Sequence, residues 1–183
     1  MKHIAATTLM LLTIAPALAG QAKQSSPATA NPITVTLRQM EQRYAQNLIA
    51  AAEEMPADKY SYKPTPEQIT FAHLIMHSAE ANNSLCAAIA GAPPPSVKLS
   101  ETDPKETLTK ALKDSFAYCE QVLAKADDSA LGQTVTLYEG QTGTRGSVLV
   151  RMAVGWADHY SAAAMYLRLN NLLPPSARKT AGK

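Results

Sequence analysis

Gly91 followed by Pro93-Pro94-Pro95 constrains this chain more than any other feature. A helix can end on a glycine, which enters the left-handed region without penalty, and three prolines then forbid continuation by removing amide donors and clashing with the preceding turn. Behind that stop lies a helical pattern running from about Pro66 to Ala90. Met55-Pro56 and Leu173-Pro174-Pro175 punctuate the chain in the same way and close two further patterns.

The first helix is predicted over Thr34 to Glu54. Leu37, Met40, Tyr44, Leu48, Ala51 and Ala52 recur at steps of three and four, with Arg38, Glu41, Gln42 and Arg43 between them. Two prolines in Ala57 to Pro66 hold the chain extended until Thr65-Pro66-Glu67, which reads as the N-cap and first turn of the second helix. The third is predicted from Thr102-Asp103-Pro104-Lys105 to near Ala126, carrying Leu108, Leu112, Phe116, Cys119, Val122 and Leu123 at helical spacing. The fourth spans about Thr144 to Asn171. Between the last two, Thr134 to Tyr138 and Glu139 to Gly143 change to short alternating pieces, an irregular crossover with a small hairpin. The expected fold is therefore all-α, a four-helix bundle with a long crossover between helices three and four.

The ends read differently. Residues 1–20 combine a basic start at Lys2, an apolar run from Ile4 to Ile14 and the small-residue signal Ala17-Leu18-Ala19, the pattern of a secretory signal peptide. Residues 21–32 are polar and small, a flexible lead-in, and 179–183 form a tail around the 33–178 domain. The protein is thus expected to be exported, periplasmic or secreted. No later stretch reaches the roughly 20 apolar residues of a membrane helix, so no membrane partner is expected after cleavage. Losing Lys2 with the leader leaves 16 basic against 15 acidic residues, which disfavours nucleic acid as a partner.

Cys86 and Cys119 would meet an oxidising compartment, where one disulfide is expected; two buried thiols are the alternative. The chain has no Gly-rich phosphate loop, Gly-x-Ser-x-Gly elbow, Cys-x-x-Cys or His-Glu-x-x-His. Three histidines outside the leader carry the remaining chemistry. His73 and His77 lie four apart on one face of the second helix, and His159 lies on the fourth at helical steps from Met152, Trp156, Ala163 and Tyr166. Imidazoles converging between helices suit zinc, nickel or a similar divalent metal; satisfied core histidines are the structural alternative. Tyr60, Tyr62, Tyr138, Tyr160 and Tyr166 are candidates to line a pocket or to pack at helix edges. Arg168 reads as a helix-end cation.

Tyr60 through Pro66, the Phe71-to-His77 spacing, and the run Asp158-His159-Tyr160 leading to Tyr166-Leu167-Arg168 and Pro174-Pro175 resemble the DinB/YfiT-like superfamily. That resemblance implies a metal site of three histidines, one from the second helix and two, four apart, from the fourth. His77 matches the first and His159 the last. Gly155 stands at the remaining position, so the third ligand would have to come from His73 or Asp158. The resemblance also implies metal-dependent transferases that use thiols such as mycothiol or bacillithiol, chemistry that belongs to the cytoplasm and sits poorly with export. Three functions are therefore expected to compete. One is an exported bundle with a cavity around His77, Trp156 and His159 that binds a small molecule or, weakly, a metal. Another is a metal-dependent hydrolase or thiol S-transferase with His77 and His159 as ligands. The last is a non-catalytic interaction module with core histidines, for which a homodimer would suit.

Overall fold

The computed structural model describes residues 30–137 and 140–178. The expected signal peptide, most of the expected lead-in, Tyr138 and the expected tail lie outside the described residues. Helix α1 spans Pro32–Glu54, α2 Phe71–Ala90 and α3 Lys105–Ala124; a hairpin of β1 (Thr134–Thr136) and β2 (Thr142–Thr144) precedes α4, Arg145–Leu169. The strands pair antiparallel, with Val135 opposite Gly143.

Helices α1 and α2 each pack against both α3 and α4, so they occupy opposite corners of a four-helix bundle. Directions follow from the cross-helix contacts. Arg38 donates to the Leu123 carbonyl and Lys113 pairs with Glu53, so α1 and α3 are antiparallel. Asn82 meets Ser115 and Cys86 meets Cys119, so α2 and α3 run parallel. Parallel neighbours require the chain to return along the bundle. A 20-residue helix is about 30 Å long, and residues 91–104 are enough to span it when extended. The α2–α3 connection is therefore long as well, in addition to the expected crossover after α3.

The core is aliphatic and aromatic, with Leu48, Phe71, Ile75, Leu108, Leu112, Leu149, Met152 and Leu167 fully buried. Cys86 and Cys119 are also fully buried, their Cα atoms are 5.4 Å apart, and a disulfide joins α2 to α3. No helix among the described residues is long and apolar enough to cross a membrane.

Local chemistry sets the ends. Gly91 terminates α2 in the left-handed region at φ 65°, as its place in the sequence predicts. The start of α2 differs from expectation: Thr70, not Thr65, is the N-cap, and its hydroxyl accepts from the His73 amide at 2.9 Å. The approach segment satisfies the other leading amides, since Phe71 N–H donates to the Tyr62 carbonyl and Ala72 N–H to that of Tyr60. Thr144 and Ser147 form a reciprocal capping box that opens α4. At α1 the cap comes from far away in sequence: both carboxylate oxygens of Asp128 accept, at 2.9 Å, from the amides of Ile33 and Thr34.

Candidate functional site: a histidine seam between α2 and α4

Antiparallel packing of α2 on α4 brings His77 beside His159. Their ring centroids are 5.1 Å apart and the rings meet edge to face. His159 is half-buried, whereas His77 is exposed, so the pair lies in a surface seam rather than in an inter-helix cavity. Burial, reinforced by the neighbouring His77 and partly opposed by Asp158, holds the His159 pKa below its ordinary value of 6.5. Its imidazole is therefore neutral at pH 7 and keeps a free lone pair.

Trp156 does not take part. It is 2% exposed, and its Nε1–H donates to Asn82 Oδ1 at 2.8 Å; Asn82 in turn donates to Ser115 Oγ at 3.1 Å. That chain of bonds satisfies three buried polar side chains and turns the indole toward Phe116 in the core. The expected cavity around His77, Trp156 and His159 is thus replaced by two separate features, a core network and a histidine seam.

His73 extends the row but faces another partner. Its ring stacks on His77 at a centroid distance of 6.5 Å, and its Nδ1 lies 3.4 Å from Glu101 Oε2. The same carboxylate oxygen accepts from the Thr70 hydroxyl at 3.0 Å, which ties the segment before α3 to the start of α2. Asp158 is exposed. At Gly155, an added Cβ would lie 3.9 Å from His159 Cε1, an ordinary contact, so the position adjoins the pair and has room for a side chain.

The tyrosines are structural. Tyr60 donates to the Ala52 carbonyl at 2.7 Å and shares a hydrogen bond with Thr109; burial first, then Glu106 and Glu53, push its pKa up to about 12 against that bond. Tyr166 donates to the Ile69 carbonyl at 2.6 Å, and the Ser176 amide donates to Tyr160 Oη at 2.8 Å. Tyr62 packs edge-on against Tyr166. Arg168 bonds the Ala164 carbonyl in the last turn of α4, as a helix-end cation should.

The sequence profile of the DinB superfamily matches residues 39–163, well over half of the chain, and takes in His73, His77, His159 and Gly155. The chain belongs to the DinB superfamily. Solved DinB-like structures agree on the fold: one from Bacillus subtilis superimposes with a TM-score of 0.64 at 16% identity, covering 79% of this chain and 99% of that one. A DinB-like protein of Bacillus cereus gives 0.63 at 11% identity, covering 76% of this chain and 93% of the other. A mycothiol-dependent maleylpyruvate isomerase gives 0.56 at 16% identity, with 70% of this chain matched to 59% of that larger protein. No curated protein matches the chain in sequence.

His77 and His159 are close enough for two imidazole nitrogens to converge on one ion, given Zn–N bonds of about 2.1 Å. No group of three histidine, cysteine or carboxylate side chains that could hold a metal occurs among the described residues. The residues fit two coordination positions and leave a three-histidine centre incomplete.

Proposed function

We propose that this chain is an exported DinB-superfamily binding protein whose α2–α4 seam holds a divalent transition metal, zinc or nickel, weakly through His77 and His159. The remaining coordination positions fall to water or to a small external ligand. The observation that carries this reading is the 5.1 Å pair, with a neutral His159, beside a glycine. Export is supported by the leader pattern and by the Cys86–Cys119 disulfide, a bond that persists in oxidising compartments.

A second reading, a metal-dependent hydrolase or thiol S-transferase using the same histidines, is favoured by the shared fold with the mycothiol-dependent isomerase. Its weakness is the glycine at position 155, since open catalytic zinc sites keep three protein ligands. Metal analysis of untagged mature protein tests the proposal: substoichiometric or readily dialysed metal, abolished in both His77→Ala and His159→Ala, is expected. Metal retained by either variant would refute the assignment. Tight, stoichiometric metal lost in both would favour the enzyme.

A further inference from the structure

Glu41 is the anomaly of this fold. It sits on α1 one turn after Leu37, is 3% exposed, and no hydrogen bond or ion pair reaches its carboxylate among the described residues. Its oxygens are not among the fully enclosed unpaired atoms, so the carboxylate reaches the surface only at its tip, where partial desolvation still disfavours the ionised form. Leu37, Glu41 and Leu48 share the inward face of α1, so the position is set by packing and not by chance exposure.

The side chain opens onto a groove of about 420 Å³ between antiparallel α1 and α3, whose lining includes Gln42, Gln46, Lys113 and Ala117. Its acidic groups gather where Glu41 meets and repels Glu120, and the apolar side chains of Ala45, Ile49 and Phe116 interleave with Gln46 and Lys113 further along. Lys113, the one cation in the lining, is engaged elsewhere, with Nζ 2.6 Å from Glu53 Oε1.

We propose that this groove binds an organic monocation, a primary alkylammonium or arylalkylammonium, with its nitrogen against Glu41 and its apolar body along Ala45, Ile49 and Phe116. An ammonium has three donors and no acceptor, and the groove supplies two carboxylates and the amide oxygens of Gln42 and Gln46. A bare divalent ion fits less well. Calcium takes six to eight oxygens and magnesium an octahedron, whereas half of this wall is hydrocarbon. Burial first, and Glu120 second, push the Glu41 pKa up to about 7, so half of these carboxyls are protonated at neutral pH until a cation arrives.

Calorimetric titration of the folded protein with n-hexylammonium at pH 7, beside n-hexanol as the neutral isostere, tests the assignment. Saturable binding of the amine but not the alcohol is expected. Repeating it in buffers of different ionisation enthalpy should show release of about half a proton per ligand, because the cation favours ionised Glu41. Glu41→Gln should weaken affinity at least tenfold and abolish the proton release. Ala117→Trp, at an exposed position on the rim, should block the groove without disturbing the core, and it carries the test alone if Glu41→Gln does not fold. Absence of binding, equal binding of hexanol, or full affinity in either folded variant overturns the proposal.

Discussion

His77 and His159 stand 5.1 Å apart, centre to centre, on two helices that run in opposite directions, and Gly155 lies one turn before His159 on the same face. A histidine at 155 would meet His159 at ordinary van der Waals distance, and the helical backbone there imposes no left-handed strain. Gly155→His should therefore raise zinc or nickel affinity by at least tenfold, and replacing a mid-helix glycine should also add stability of about 0.5 kcal/mol. Titration with a competing chelator measures the first and chemical denaturation the second. Unchanged affinity in a folded, stabilised variant would place the missing ligand elsewhere.

His159 makes the seam sensitive to acid. Its folded pKa is depressed, chiefly by burial and then by His77, so protonation favours the unfolded chain. The stability linked to the neutral form is present above the ordinary value of 6.5 and is lost as pH falls through the lower folded value. Metal binding should weaken over the same interval because protons compete for the lone pair. Thermal melts from pH 8 to pH 5 should fall more steeply for the wild type than for His159→Gln. Parallel curves would show that His159 does not titrate abnormally.

The bundle was legible because its signals were local and redundant. Gly91 and the proline triplet mark the end of α2, and the steps of three and four through Leu108, Leu112 and Phe116 mark α3. The start of α2 was not, because Thr65-Pro66 and Thr70 both look like caps and the choice depends on the Tyr60 and Tyr62 carbonyls that reach the first amides. Periodicity placed His159 on the inward side but could not separate a core-facing Trp156 from a seam-facing histidine three residues later; Asn82 on another helix decides that. In the sequence Glu41 falls among the polar residues between the apolar steps of α1. A single helix reports its own period, and only the placement of α3 reveals that the face of Leu37 and Glu41 is covered.

The disulfide closes a loop of 33 residues between parallel helices. The chain-entropy relation assigns such a loop about 3–4 kcal/mol of stability through restriction of the unfolded chain. The paired substitution Cys86→Ala with Cys119→Ala should lose at least that much, with added loss from the vacated core volume, as read from the denaturation midpoint in urea. Intact mass under non-reducing conditions should be two hydrogens below the reduced mass. Two free thiols titrated in the unfolded protein would refute the bond and withdraw one support for export.

Asp128 caps α1 across 94 residues of sequence, and removing it leaves two leading amides without acceptors. Asp128→Ala should cost about 1–2 kcal/mol, in the range of strong N-caps, and Asp128→Asn should recover part of it because an amide oxygen still accepts. Hydrogen exchange would localise the effect. The amides of Ile33 and Thr34 should lose protection while those of α2 keep theirs.

The final expectation runs opposite to that for His159. Glu41 carries a pKa raised from 4.5 to about 7, by burial and then by Glu120, so its neutral form is the one that the fold tolerates. The associated stability is complete below pH 4.5 and is lost as pH rises toward and through 7, because the unfolded chain ionises first and binds fewer protons. Glu41→Gln removes the titration while preserving shape. The variant should therefore match the wild type near pH 4.5 and exceed it at pH 8, with the gap opening between those values. Denaturation midpoints across that range measure it directly, and a wild type whose midpoint does not decline relative to the variant would show that the carboxylate finds a partner in solution.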